Sequence, residues 1–258
     1  MTPNFWIESG ILFAAALIGS LAIVPYSLRL IKGSGKPLKM SVPMLTLLSF
    51  LQNAVLFAVV VGAGLMAAHA VGLGAPYIEA AFGGGIPAHP LMSMLGISFV
   101  LGALAGAILL IADLFFLPYW PEQIVDTALK TTNSENFLAS LYGGINEELL
   151  MRLFGFSVLV WLLSFIWHPN SAIFWSVNVV MAIVFGIGHL PALKGLVGKV
   201  SHVILLRTLL LNAPVGLICG WLFWMYGIEA AIVAHFSADI VYHVLGTLVL
   251  RRKLRTTR

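Results

Sequence analysis

Two adjacent carboxylates and a guanidinium interrupt an apolar stretch of this 258-residue chain. Glu147, Glu148 and Arg152 lie within the run from Phe137 to Ile166, which is long enough to span a bilayer. An unpaired charge at the centre of a membrane helix costs about 2.5–3.5 kcal/mol, so these three side chains need partners. Glu148 and Arg152 are four residues apart and can pair on one helix face. Glu147 points about 100° away, so we expect it to face another group and to act as a carboxylate base.

Other ionisable side chains fall at membrane depth on two further apolar segments. His189 follows Phe185 by four residues, and His235 and Asp239 are four residues apart, so the latter two share a helix face. Ionisable groups inside membranes usually face a bundle interior or a water-filled cavity. We therefore predict one polar site formed by Glu147, His189, His235 and Asp239.

The chemistry of this set differs from that of several well-known hydrolase motifs. The sequence contains no His-Glu-x-x-His zinc motif, no Gly-x-Ser-x-Gly serine elbow and no Gly-x-Gly-Asp aspartyl motif. A glutamate and two histidines can hydrolyse an amide without metal if the glutamate takes a proton from water, one histidine orients that water and the other stabilises the oxyanion. Glu147, His189, His235 and Asp239 are also acceptable zinc ligands. Both chemistries remain open at this point.

The remaining polar residues of the apolar segments have simpler interpretations. His243 continues the face of His235 and Asp239, and we interpret it, like His202, as an interhelical hydrogen-bonding residue. Asp113 lies one turn from the predicted end of its helix and is expected to reach the membrane interface. The other histidines stand at helix boundaries and give no functional signal: His69, His89 and His168.

Composition defines the class of protein that must position these residues. Hydrophobic residues make up 60% of the chain and charged residues 9%, against about 25% charged in a soluble domain, and the mean hydropathy is +1.01. We predict an all-α polytopic membrane helix bundle, a single domain over residues 1–258, with seven to eight transmembrane helices and a polar intramembrane cavity. The predicted spans are Ile11 to Leu30, Val42 to Ala68, Leu91 to Leu117, Phe137 to Ile166, Ser171 to Leu190, Val203 to Met225 and Ile228 to Leu250.

The formal charge of +4 is explained by topology. The basic residues from Arg29 to Lys39 and from Arg251 to Arg258 flank apolar segments, as cytoplasmic loops do, so we predict membrane lipids and no nucleic acid as partners. Seven spans then place the C-terminus in the cytoplasm, and a short surface helix is expected within Glu122 to Glu135. We predict an integral protein of a bacterial or archaeal cell membrane. The single cysteine, Cys219, excludes an internal disulfide and is expected to be a packing residue.

The predicted spans create one geometric conflict. His189 falls near the cytoplasmic end of the fifth span, whereas His235 falls near the outer end of the seventh. If both belong to one site, the helices are strongly tilted or broken, or the predicted boundaries are displaced by several residues.

Three ordered motifs on separate predicted spans resemble those of a known family. The sequence is similar to the CAAX-processing and bacteriocin-processing (CPBP, Abi) intramembrane proteases, which include the type II CAAX prenyl endopeptidase. The similarity covers about Leu141 to Val244, and we take 137–250 as the catalytic core. The motifs are Glu147-Glu148-x-x-x-Arg152, Phe185-x-x-x-His189 and His235-x-x-x-Asp239.

The resemblance implies an endopeptidase that hydrolyses a peptide bond in a membrane-associated peptide or protein, prenylated or not. Glu147 is then the base, His189 activates the same water, and His235 with the residue at position 239 forms the oxyanion hole. Glu148 and Arg152 are supporting residues. No cofactor is required on this reading, and zinc is the alternative.

Two local features bear on the resemblance. The prenyl endopeptidase branch usually has asparagine where this chain has Asp239, and an ionised aspartate cannot donate a hydrogen bond to an oxyanion. Asp239 therefore either holds His235 protonated as the donor or is itself protonated. The segment Asn212 to Gly216 is similar to a small-residue segment of the family and is expected to pack closely beside the cavity.

Two other functions are compatible with the same residues. The chain can be a non-catalytic immunity or scaffold protein of this fold. It can also be a proton- or ion-coupled transporter with Asp113, Glu147 and Asp239 as a relay, although it lacks the repeat symmetry typical of many carriers.

Overall fold

A computed structural model describes residues 3–34, 40–82 and 85–256, and every regular element in these ranges is helical. Lys36, Lys39 and Arg258 of the basic clusters lie outside the described residues, as does the side chain of Arg255. The helices are α1 (Pro3–Ala22), α2 (Val24–Gly33), α3 (Val42–Ala70), α4 (Pro76–Ala81), α5 (Leu91–Phe116), α6 (Glu122–Lys130), α7 (Asn133–Tyr142), α8 (Ser157–Ser164), α9 (Ser171–Gly188), α10 (Leu190–Val197), α11 (His202–Tyr226), α12 (Ile228–Asp239) and α13 (Gly246–Thr256).

Six helical stretches are long and apolar enough to cross a membrane within the described ranges. The predicted number of seven to eight transmembrane helices is not confirmed. We call the helical stretch of residues 133–164 the motif helix. It is long enough to cross a membrane, but it contains Glu147, Glu148 and Arg152 and is not among the six. Many apolar side chains on the outer faces of the bundle remain exposed, as expected for contact with lipid. The six stretches are Asn4–Gly33, Val42–Ala70, Leu91–Tyr119, Ser171–Val197, His202–Tyr226 and Ile228–Leu254.

The helices depart from regular α-geometry at the residues singled out above. The motif helix has wider π-helical turns at Gly143–Glu147 and Leu149–Phe156, and α12 continues into a π-helical segment at Ile240–Leu245. Such turns are rare and often occur at functional sites, since they change the direction of the side chains that follow. Near Pro25, α1 ends and α2 begins, which is the break expected from that proline.

The conflict in depth between His189 and His235 comes from displaced span boundaries. The fifth helical stretch continues through α10 to Val197 instead of ending at Leu190, so His189 lies inside it and not near its end. At the other helix, residues 74–82 contact the first turn of α12. The Ile228 amide donates to the Gly74 carbonyl at 3.0 Å, and Glu229 accepts hydrogen bonds from the backbone of α4.

Small residues bring the helices around the site into close contact. At Gly216 on α11, an added Cβ would lie 2.9 Å from Cα of Ala182 on α9, so the close packing expected for the Asn212–Gly216 segment is confirmed. On α5, an added Cβ at Gly102 would lie 2.8 Å from Cα of Ala234 on α12, next to His235. The position of His235 therefore depends on the glycine at position 102.

Replacing Gly102 by alanine is expected to lower the unfolding free energy by about 1–3 kcal/mol, because the methyl group overpacks the contact between α5 and α12. The measurement is denaturant unfolding of the purified protein in detergent. Gly96 is the matched control on the same helix, since a Cβ there meets nothing within 4 Å. Equal stability of Gly102→Ala and Gly96→Ala would contradict this packing.

The start of the motif helix is fixed by a capping box and an ion pair. The Thr132 side chain accepts from the Glu135 amide, and the Glu135 carboxylate accepts from the Thr132 amide and from Arg29 on α2. Burial favours the neutral form of Glu135, but the hydrogen bonds from the Thr132 backbone and Arg29 outweigh it and lower the pKa of this carboxyl below its ordinary 4.5. The contribution of Glu135 is therefore present above pH 4.5 and is lost as the pH falls through the lowered folded-state pKa.

Replacing Glu135 by glutamine is expected to cost about 0.2–1 kcal/mol at neutral pH, because glutamine keeps the capping box but loses the charge that pairs with Arg29. The difference between the wild type and the variant should shrink as the pH falls below 4.5. Unfolding free energies measured across this range test the prediction. A difference that stays constant with pH would show that the charge of Glu135 contributes nothing.

Candidate active site

Glu147 lies between two imidazole rings at the wall of a cavity of about 740 Å³. Its Oε2 is 3.8 Å from Nε2 of His189 and 4.0 Å from Nε2 of His235. These separations exceed a direct hydrogen bond, which reaches about 3.2 Å, and suit a water molecule shared between the groups. The Glu147 side chain is 26% exposed, so it is open to the cavity rather than enclosed by protein.

Glu148 has a different environment, although it is the next residue. Its side chain is 0% exposed, and Oε1 accepts hydrogen bonds from Arg152 at 2.8 Å and from Nδ1 of His235 at 2.6 Å. Arg152 is equally buried and also donates to the Gly216 carbonyl at 2.9 Å. The predicted pairing of Glu148 with Arg152 is confirmed. The contact between Glu148 and His235 joins residues on different helices, so no sequence pattern indicated it.

The backbone orients the ring of His189. This residue ends α9, and its Nδ1 lies 2.8 Å from the carbonyl oxygen of Phe185, one turn earlier. Because a carbonyl can only accept, Nδ1 carries the proton, and a neutral ring presents an unprotonated Nε2 towards Glu147. The Phe185 ring packs edge-on against both His189 and His235, so the motif phenylalanine keeps the two imidazoles in place.

Asp239 and His243 extend the site along α12 and the segment after it. Asp239 Oδ1 is 3.8 Å from Nε2 of His235 and 3.9 Å from Nε2 of His243, and all three residues line the cavity. The structure thus brings together the four residues of the predicted site, Glu147, His189, His235 and Asp239. His243, interpreted above as a hydrogen-bonding residue only, belongs to the same cavity wall.

Glycine at position 143 permits the approach of α12 to the motif helix. A Cβ at Gly143 would lie 2.7 Å from Oδ2 of Asp239 and 3.3 Å from Nε2 of His235, and one at Gly144 would lie 2.9 Å from Cβ of Phe236. No function was predicted for these glycines from the sequence. Two adjacent glycines in a helix, four and three residues before Glu147, were the available signal that a neighbouring helix comes close.

Asp113 does not reach the membrane interface, and that prediction is wrong. Its carboxylate is 0% exposed and forms two hydrogen bonds with Arg207, at 2.6 and 2.8 Å, and a third with Tyr242. Arg207 lies in α11, within the predicted sixth span, and it lines the cavity with Tyr242. This network joins α5 and α11 to the segment that follows Asp239.

Potential metal ligands come close together in two places among the described residues. Glu148 with Cys219 and His235, and Glu8 with His69 and Glu79, are groups whose ligand atoms all lie within 4.8 Å of one another. The set of Glu147, His189, His235 and Asp239 is not one of them. Cys219 is buried, as expected of a packing residue, and it lies behind Glu148 and His235.

The fold and the cavity define a class of protein, an integral membrane protein of apolar helices around a polar glutamate and histidine site. Comparison with known families adds one finding. Residues 134–241 match the family described as "Type II CAAX prenyl endopeptidase Rce1-like", and this match supports membership of the CAAX protease family. Members of this family are generally proteases. No curated protein and no solved structure matches the chain.

Proposed function

We propose that the chain is an endopeptidase that cleaves a membrane-associated peptide or protein with a water molecule activated by Glu147. The observation on which this rests is the position of Glu147, whose Oε2 lies within 4.0 Å of two imidazole nitrogens and faces the cavity. Glu148 is not available for this role, because its Oε1 is already bound to Arg152 and His235. The family match supports a protease of the CAAX type.

In the proposed reaction, a water molecule between Glu147 and His189 attacks the scissile carbonyl carbon. Glu147 takes one proton from this water, and the unprotonated Nε2 of His189 accepts a hydrogen bond from the other hydrogen and orients the lone pair. When the C–N bond breaks, the protonated Glu147 returns its proton to the leaving nitrogen. The second water hydrogen stays on the new carboxyl group and then passes as a proton to the amine, so the products are a carboxylate and an ammonium group, which together account for the water.

The oxyanion needs a donor, and His235 is placed to provide it. Its Nδ1 donates to Glu148, and its Nε2 faces the carboxylates of Glu147 and Asp239, which can only accept. In this proposal His235 carries a proton on each nitrogen, and Nε2–H binds the developing oxyanion. The negative charge of Asp239 attracts the imidazolium of His235 and holds it in position.

The cavity contributes to the choice of substrate. Its lining combines the polar site with apolar side chains from α2, α10 and α11, including Leu28, Leu196 and Leu211. A peptide that carries an apolar group, such as a prenyl chain, can bury that group against this wall while its backbone reaches Glu147. We therefore propose that prenylated and strongly apolar peptides are cleaved in preference to polar ones.

The test is incubation of the purified protein in detergent with a mixed library of prenylated and unprenylated peptides, followed by mass spectrometry. We expect fragment pairs whose masses sum to the parent peptide plus one water, and more of them from prenylated members. The Glu147→Gln variant is the control for contaminating proteases. Intact peptides after incubation with folded wild type would contradict the proposal and favour a non-catalytic immunity or scaffold protein of the same fold.

A further inference from the structure

A second group of ionisable side chains lies away from the cavity. Glu8 is near the start of α1, His69 is in the last turn of α3, and Glu79 is on α4. Nε2 of His69 is 3.1 Å from Oε2 of Glu8 and 3.1 Å from Oε1 of Glu79. None of the three residues lines the cavity. In the sequence, His69 is a boundary residue without a functional signal, since its two partners come from distant segments.

Glu8 is the unusual member of this group. Its side chain is 1% exposed, and both of its carboxylate oxygens are buried without a hydrogen bond. Nε2 of His69 also lacks a hydrogen bond, although two carboxylate oxygens are 3.1 Å away. Neither oxygen lies in the direction in which this ring nitrogen would donate. An ionised carboxylate that is buried without donors is costly, so Glu8 is either protonated or balanced by a further partner.

A neighbouring carboxylate increases the need for a compensating positive charge. Glu229, in the first turn of α12, interacts electrostatically with both Glu8 and Glu79. One of its oxygens accepts the amides of Tyr77 and Ile78, and the other is buried without a partner. A protonated His69 would compensate only one negative charge. A divalent cation would compensate two.

We propose that Glu8, His69 and Glu79 bind a divalent first-row transition metal ion of the Zn²⁺ type. One imidazole nitrogen and two carboxylate oxygens are suitable ligands for such an ion. Ligand atoms that are each about 2.1 Å from one metal ion, at tetrahedral angles, lie roughly 3.4 Å apart. The two separations of 3.1 Å are close to this value, and all three ligand atoms lie within 4.8 Å of one another.

The proposed metal site has a structural role. It joins the start of α1 to the end of α3 and to α4. Gly74, just before α4, and Tyr77 within it bind the first turn of α12 through Ile228 and Glu229. Because metal binds the folded arrangement, it raises the stability of this end of the bundle. The site does not depend on the proposed peptidase activity, since it shares no residue with the cavity.

The test uses the full-length protein, purified in detergent, stripped with a chelator and then dialysed against Zn²⁺ or Co²⁺. We expect one metal ion per wild-type chain, visible absorption from bound Co²⁺, and a Tm that rises on addition of Zn²⁺. Glu79→Gln is the main variant, because Glu79 is partly exposed and glutamine has the same shape, so the fold should be retained. It should bind metal about 100-fold more weakly or worse, with no rise in Tm. Glu8→Gln should behave in the same way.

Glu147→Gln is the control, because it alters a carboxylate in the cavity and should bind metal like the wild type. The proposal is overturned if folded wild type takes up no stoichiometric metal, or if Glu79→Gln binds it as tightly as the wild type. Metal lost from Glu147→Gln but kept by Glu79→Gln would place the ion in the cavity instead. Since the readouts are metal content and Tm, the result is independent of whether a peptide is cleaved.

Discussion

Replacing Glu147 by glutamine is expected to reduce peptide cleavage by about 10²–10⁴-fold, because the amide cannot take a proton from water. The fold should be retained. The side chain is partly exposed, and its nearest imidazole nitrogens are 3.8 and 4.0 Å away, so the isosteric amide breaks no hydrogen bond with them. Single-turnover cleavage of a prenylated peptide, with unfolding measured on the same preparation, gives both quantities.

The matched control for this variant is Glu122→Gln, the same chemical change at an exposed position on α6. Its cleavage rate should stay within about twofold of the wild type, since surface changes away from a site have little effect. If Glu147→Gln and Glu122→Gln were equally active, the base would be another group, and the proposed mechanism would fail.

Replacing Arg152 by methionine is expected to destabilise the protein by about 3–5 kcal/mol. The side chains of Arg152 and Glu148 are 1% and 0% exposed, and methionine would leave the Glu148 carboxylate buried with His235 as its remaining partner. The Gly216 carbonyl would also lose its donor. Denaturant unfolding in detergent measures the loss. Cleavage should fall as well, because the hydrogen bond that orients His235 runs through Glu148.

Lys130→Met is the control for the Arg152 variant. Lys130 and Asp126 form a pair with the same four-residue spacing, but their side chains are 63% and 46% exposed, so its loss should cost less than about 0.5 kcal/mol. If the two variants lost comparable amounts of unfolding free energy, burial of the Glu148–Arg152 pair would have no energetic consequence, and the prediction would be wrong.

The features of the fold that follow from composition and local periodicity could be predicted from the sequence. The long apolar stretches and their order along the chain could be identified, and the pairing of Glu148 with Arg152 could be predicted. Each of these features depends on residues that are close in sequence. The convergence of Glu147, His189 and His235 was inferred from the cost of ionisable groups in a membrane. Their roles in catalysis remain predictions.

The other contacts between distant segments could not be predicted, because they leave no periodic pattern. The bond between Glu148 and His235, the pair of Asp113 and Arg207 and the grouping of Glu8 with His69 all join separate helices. The continuation of the fifth stretch to Val197 and the contact of residues 74–82 with α12 had no sequence signal either. The π-helical turns of the motif helix had no sequence signal beyond the glycines at positions 143 and 144.

We propose that Glu147 activates water for peptide cleavage without a metal ion, and the most direct test is the cleavage rate in excess chelator. The measurement should be made on both the wild type and Glu79→Gln, because a chelator would also empty the proposed site at Glu8, His69 and Glu79. We predict that Glu79→Gln cleaves at the same rate with and without chelator, and that Glu147→Gln cleaves in neither condition. Cleavage that is lost with chelator in both the wild type and Glu79→Gln, and restored by Zn²⁺, would contradict the claim and identify a metalloprotease.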